Sequence, residues 1–120
     1  MGSNKVLKPA AGHSFAPHWP ALVSGEQGGD YACVAGLDAL EDQRLWPGCR
    51  LVDSQGWVYL LSQANDGALY WHRQPELVSL LELNHELKRY AANLGVCCTV
   101  KLAIRTLADA FALVVWLEQQ

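Results

Sequence analysis

The chain has 120 residues, of which 51% are hydrophobic, enough for one domain whose core needs neither metal nor disulfides. Charged residues make up only 18% and the net charge is −3. Lys5 and Lys8 are the only charges among the first 18 residues, so the remainder is more acidic still, which disfavours nucleic acid and anionic membrane surfaces as partners.

Residues 1–17 mix Gly, Ala, Pro, Ser and Lys and read as a flexible tail ahead of a single domain over 18–120. In "HWPALVS" a strand is expected just after Pro20, which lacks a donor N–H. "GEQGGD" is a turn, and "YACVA" a second strand that forms a hairpin with the first. "GLDALEDQRLWPG" predicts a short helix from the spacing of Leu37, Leu40 and Leu45 with Trp46, stopped by Pro47-Gly48. "CRLVDSQGWVYLLS" reads strand, turn, strand, with Asp53 opening the turn and Gly56 free to take positive φ. "QANDG" is a second turn and "ALYWHRQ" the third strand of a meander. Both faces of "WVYLL" are apolar, which predicts a central strand covered on both sides.

"SLLELNHELKRYAANLG" is the main amphipathic helix. Ser79 and Glu82 form a capping box. Leu80, Leu83, Leu87, Tyr90 and Leu94 draw one apolar stripe. Gly95 stands at the C-cap, and Lys88 and Arg89 suit that end of the dipole. "VCCTVKLAI" predicts a strand with Val96, Cys98, Val100 and Leu102 on the core face and Cys97, Thr99 and Lys101 on the other. Thr106 and Asp109 resemble a second cap. They open a helix over 107–113, while 114–117 is open between helix and strand because Val114, Val115 and Trp116 favour sheet. The expected architecture is α+β: a mostly antiparallel sheet of five or six strands, the main helix across one face and shorter helices flanking it.

Trp19-Pro20-Ala21, the Asp53-Ser54-x-Gly56 turn leading to Tyr59, and the Cys97-Cys98 pair together resemble a family of small bacterial proteins, a domain of unknown function, over roughly residues 18–116. The resemblance implies a compact bacterial α+β protein and supplies no catalytic residues.

Motifs for chemistry are sparse. There is no G-x-S-x-G elbow, phosphate loop or dinucleotide fingerprint. Cys33, Cys49, Cys97, Cys98, His72 and His85 lack zinc-ligand spacing, so no metal or other cofactor is expected. Asp53 reads as a turn former, and His85 as a solvated helix residue. Cys98 reads as core, and Cys97 beside Lys101 as the more accessible thiol. Trp57, Tyr59, Tyr70 and Trp71 suggest an aromatic face, which the acidic balance argues is core or partner surface and not a nucleic-acid platform.

With five tryptophans in the chain, a partly exposed aromatic patch is the expected partner surface. The candidate ligand or partner residues are Trp19, Tyr70, Trp71, His72 and Cys97. The expected function is a non-enzymatic protein-interaction or regulatory module whose partner is another protein, with a homodimer as one form. The alternative is a small-ligand-binding protein or minor enzyme whose aromatic-lined pocket uses Cys97 or His72. No run reaches the ~18 apolar residues of a membrane span, no apolar export signal is seen, and four cysteines in that setting point to reduced thiols in the cytoplasm.

Overall fold

The computed structural model describes residues 16–25, 30–40, 45–96 and 104–119. The elements in chain order are β1 (Ala21–Ser24), β2 (Tyr31–Val34), α1 (Leu37–Leu40), β3 (Arg50–Asp53), β4 (Trp57–Gln63), β5 (Leu69–Leu77), α2 (Leu80–Asn93) and α3 (Leu107–Glu118). The five strands form one antiparallel sheet in the order β2-β1-β3-β4-β5, an α+β architecture. The first hairpin and the β3–β4–β5 meander lie where the sequence puts them. Of the strand expected over 96–104, residues 97–103 lie outside the described residues.

Alternation along the strands divides the core in two. Ala21, Val23, Leu51, Tyr59, Leu61 and Trp71 line one face, closed by Leu40 of α1 and by Cys49. Leu22 and Tyr31 line the other, under Leu83, Leu87, Tyr90 and Ala91 of α2 and Ala110, Leu113, Val114 and Leu117 of α3. β4 is central, with Tyr59 and Leu61 fully buried on one side and Val58 and Leu60 partly covered on the other. No described helix is long and apolar enough to cross a membrane.

Local chemistry fixes the element ends. Gly56 and Gly67 take φ of 90° and 89° in the two meander turns. The Ser79 side chain accepts from the Glu82 N–H at 3.2 Å and starts α2. Gly95, at φ 81°, ends it, with its N–H on the Ala92 carbonyl and the Val96 N–H on the Ala91 carbonyl, the two bonds of a Schellman motif. Thr106 and Asp109 cap α3 reciprocally.

One open point is resolved and three expectations change. Residues 114–117 are helical: Ala110, Leu113, Val114 and Leu117 recur at 3–4 spacing and bury together, which outweighs the sheet preference of Val and Trp. Leu45 and Trp46 lie outside α1, in the approach to a turn in which the Cys49 N–H reaches the Trp46 carbonyl. Leu94 is exposed at the C-cap, past the last turn that packs, and so leaves the stripe. β5 runs on through Pro75 to Leu77, which the end position of this strand permits.

Candidate functional site

The residues singled out from the sequence do not converge. Tyr70 and His72 share one face of β5, with ring centroids 6.3 Å apart and edge-on. Trp71 points the opposite way, is 5% exposed and belongs to the core, so it is not part of an exposed patch with its neighbours. Its indole N–H has no partner among the described residues. Trp19 is half-buried against the same core cluster. Cys97 lies outside the described residues. Nor is there a single aromatic face. Trp57, Tyr59 and Trp71 are on one side of the sheet and Tyr70 is on the other. Trp57 is half-buried, and the Arg73 guanidinium stands 4.0 Å from its ring centroid. His85 is exposed, as expected.

Two polar clusters went unseen in the sequence. The first centres on Asp53, whose side chain is fully buried. Its Oδ1 accepts from the Gln55 and Trp57 N–H groups, both at 2.9 Å. Its Oδ2 accepts from the His18 N–H at 3.1 Å and the Tyr59 hydroxyl at 3.3 Å, and lies 3.2 Å from His18 Nδ1. The Ser54 N–H returns a bond to the His18 carbonyl at 3.0 Å. One carboxylate thus closes its own turn and ties the segment before β1 across it. Burial first, and then the Asp53 charge, push the Tyr59 hydroxyl up to about 12.

The second cluster joins the sheet to α2. Tyr31 donates its hydroxyl to Glu86, and Arg50 Nη2 donates to the same Glu86 oxygen at 2.7 Å and to the Tyr31 hydroxyl at 3.3 Å. The Tyr90 hydroxyl donates to the Tyr31 carbonyl at 3.2 Å. Burial, followed by the bond to Glu86, raises the Tyr31 hydroxyl above its ordinary value. Burial also raises Tyr90, with the Asp30 and Glu118 carboxylates adding to it. In both clusters the polar atoms are spent on one another. No group of three or more His, Cys, Asp or Glu among the described residues is arranged to hold a metal ion. The Cys33 thiol is raised first by burial and then by Glu118, which makes it a poor nucleophile.

Besides a cleft of about 380 Å³ beside Trp46 and Cys49, an open cleft of about 510 Å³ lies between the end of β5 and the start of α2. Val58, Leu77, Val78 and Leu83 give it apolar walls, with Glu76, Glu82 and Arg50 among the polar lining. The β5–α2 junction is fixed by the Val78 N–H on the Gly56 carbonyl at 2.8 Å. Leu77, in the wall, is 58% exposed, and Leu81, in the first turn of α2, is 69% exposed. Alternation and helical spacing mark neither as special, because a lone exposed leucine is common.

The fold is shared. A protein from Shewanella amazonensis, solved by NMR, superposes with a TM-score of 0.63 at 23% identity, covering 97% of each chain. No curated protein matches the chain. Residues 19–114 match DUF4144, described as a protein structure with unknown function, and at that coverage the chain belongs to the DUF4144 family.

Proposed function

We propose that the protein is a non-catalytic interaction module that takes a segment of another protein into the cleft between β5 and α2. The observation that carries this reading is the pairing of an open, apolar-walled cleft with two highly exposed leucines, Leu77 in its wall and Leu81 close by in the chain. Large exposed aliphatic side chains cost solvation unless a partner covers them. The described groups best suited to acid–base work are already spent: Asp53 on a turn and a strap, and Glu86 on Arg50 and Tyr31.

A small-ligand site built on His72 draws less support, because neither His72 nor Tyr70 lines this cleft. We propose the bacterial cytoplasm as its compartment on its thiol content. Site-specific photocrosslinking in cells tests the reading. A crosslinker at Leu81 should give a discrete adduct that is absent when the crosslinker sits at exposed Arg89. Identical patterns from the two positions would overturn it, and an adduct at twice the subunit mass would identify the partner as a second copy.

A further inference from the structure

We infer that the segment received by this cleft is a short aliphatic stretch flanked by lysine or arginine, recognised through its side chains and not by strand addition. The inference rests on the reading of the cleft as an interaction surface and adds the chemistry of its occupant. Arg50 is the only cation among the described residues of the cleft lining, and its guanidinium is matched by Glu86 and the Tyr31 hydroxyl. Glu76 and Glu82 are exposed, and neither forms an ion pair with a described residue. Glu82 lies in the first turn of α2, where its charge offsets the partial positive charge of the helix end, so that end does not repel a cation. Apolar walls beside two unmatched carboxylates call for aliphatic side chains next to positive charge.

The sheet edges argue against the other common mode of peptide capture. On β5, Pro75 has no N–H to offer, and the Gln74 side chain donates to the His72 carbonyl at 3.0 Å. On β2, at the opposite end of the described sheet, the Cys33 N–H is taken by the Glu118 carboxylate at 3.3 Å. Each edge thus has backbone groups that an added strand would need missing or engaged, which favours the side-chain cleft next to β5.

The test is a titration of the full chain, followed through backbone amide shifts, with two synthetic peptides. One is acetyl-Lys-Leu-Val-Leu-Lys-amide and the other has glutamate in place of both lysines. The lysine peptide should shift the amides of Leu77, Val78 and Leu81 saturably and bind more weakly as salt is raised. Glu76→Gln and Glu82→Gln should each weaken it roughly threefold at low salt, the scale of an exposed ion pair. Equal binding of the glutamate peptide, or affinity unchanged in the Glu76→Gln/Glu82→Gln double variant, would overturn the charge selection. It would leave the interaction reading intact, since that is judged separately by the Leu81 crosslink. Failure of the lysine peptide to move these amides would overturn the inference outright.

Discussion

Asp53→Ala is the substitution that most directly tests how this fold is held. The carboxylate is fully buried and receives the Gln55 and Trp57 N–H groups on one oxygen and the His18 N–H and Tyr59 hydroxyl on the other. Alanine removes every acceptor at once. Gln55 and His18 are exposed and can turn to water, whereas the Trp57 N–H loses its partner beside the core and the buried Tyr59 hydroxyl keeps only the Ala16 carbonyl, at 3.4 Å, as acceptor. One to two orphaned donors at about 1–3 kcal/mol each give a loss of about 1–6 kcal/mol. That is a large share of the ~5–15 kcal/mol that holds an ordinary domain together. Asp53→Asn keeps an acceptor for Gln55 and Trp57 but turns an NH₂ toward the His18 N–H, so about 1–2 kcal/mol is expected. Urea denaturation should show the midpoint falling in the order wild type, Asn, Ala at constant slope. Amide exchange at residues 18 and 57 should quicken well before global unfolding. A loss below about 1 kcal/mol for Asp53→Ala would mean that water replaces the carboxylate and that the strap is not anchored by it.

Three further outcomes follow from the same coordinates. Ser79→Ala should lower stability by about 1 kcal/mol by stripping the acceptor from the Glu82 N–H, with an unchanged denaturation midpoint as the contrary result. Arg50→Met and Glu86→Gln, alone and combined, should show a coupling of about 1 kcal/mol or more in a double-mutant cycle, because both side chains share one partly buried network with Tyr31; simple additivity would show that the network is not cooperative. Tyr31, Tyr59 and Tyr90 are all raised in the folded state, so the unfolded chain gives up its tyrosine protons first as pH rises. For Tyr59 the contribution is intact below the ordinary value near 10 and lost as pH climbs from there to about 12; Tyr59→Phe, followed by alkaline unfolding and phenolate absorbance, should flatten that decline.

Most elements were legible because their ends are coded within a few residues. Thr106 with Asp109 and the glycines at 56, 67 and 95 act through bonds to near neighbours and take the roles their spacing implies, while of the box expected from Ser79 and Glu82 the Ser79 half alone is formed among the described residues. Where several solutions satisfy local preference, tertiary packing decides. Val114, Val115 and Trp116 suit a strand, yet placing Ala110, Leu113, Val114 and Leu117 in one stripe buries them together against the sheet and α2. The aromatic face was a misgrouping that period-two alternation already forbids, since adjacent Tyr70 and Trp71 must point to opposite sides of β5. The cleft had no local signature at all. Arg50 and Val58 come from β3 and β4, and they meet residues 74–83 through the β4–β5 pairing, the Arg50–Glu86 bond and the Val78 N–H on the Gly56 carbonyl.

Asp53 shows both limits in one side chain. Its Oδ1 bonds reach two and four residues along the chain, and that half of its role is the turn former the sequence suggests. Its Oδ2 bonds to His18 span 35 residues, and no spacing rule reaches that far. Through them the stretch around Trp19-Pro20-Ala21 and the Asp53-Ser54-x-Gly56 turn, which stand out separately in the sequence, become one structural unit that also holds Tyr59. Their most distinctive residues are thus accounted for by folding: a buried carboxylate must be surrounded by donors, and those donors must come from fixed places. A surface that binds by burying leucines beside two glutamates needs no such arrangement, because aliphatic contact is non-directional and exposed charge acts through solvent. The parts of this chain that look like motifs therefore hold it together, and the part best placed to meet a partner is written in residues that look ordinary.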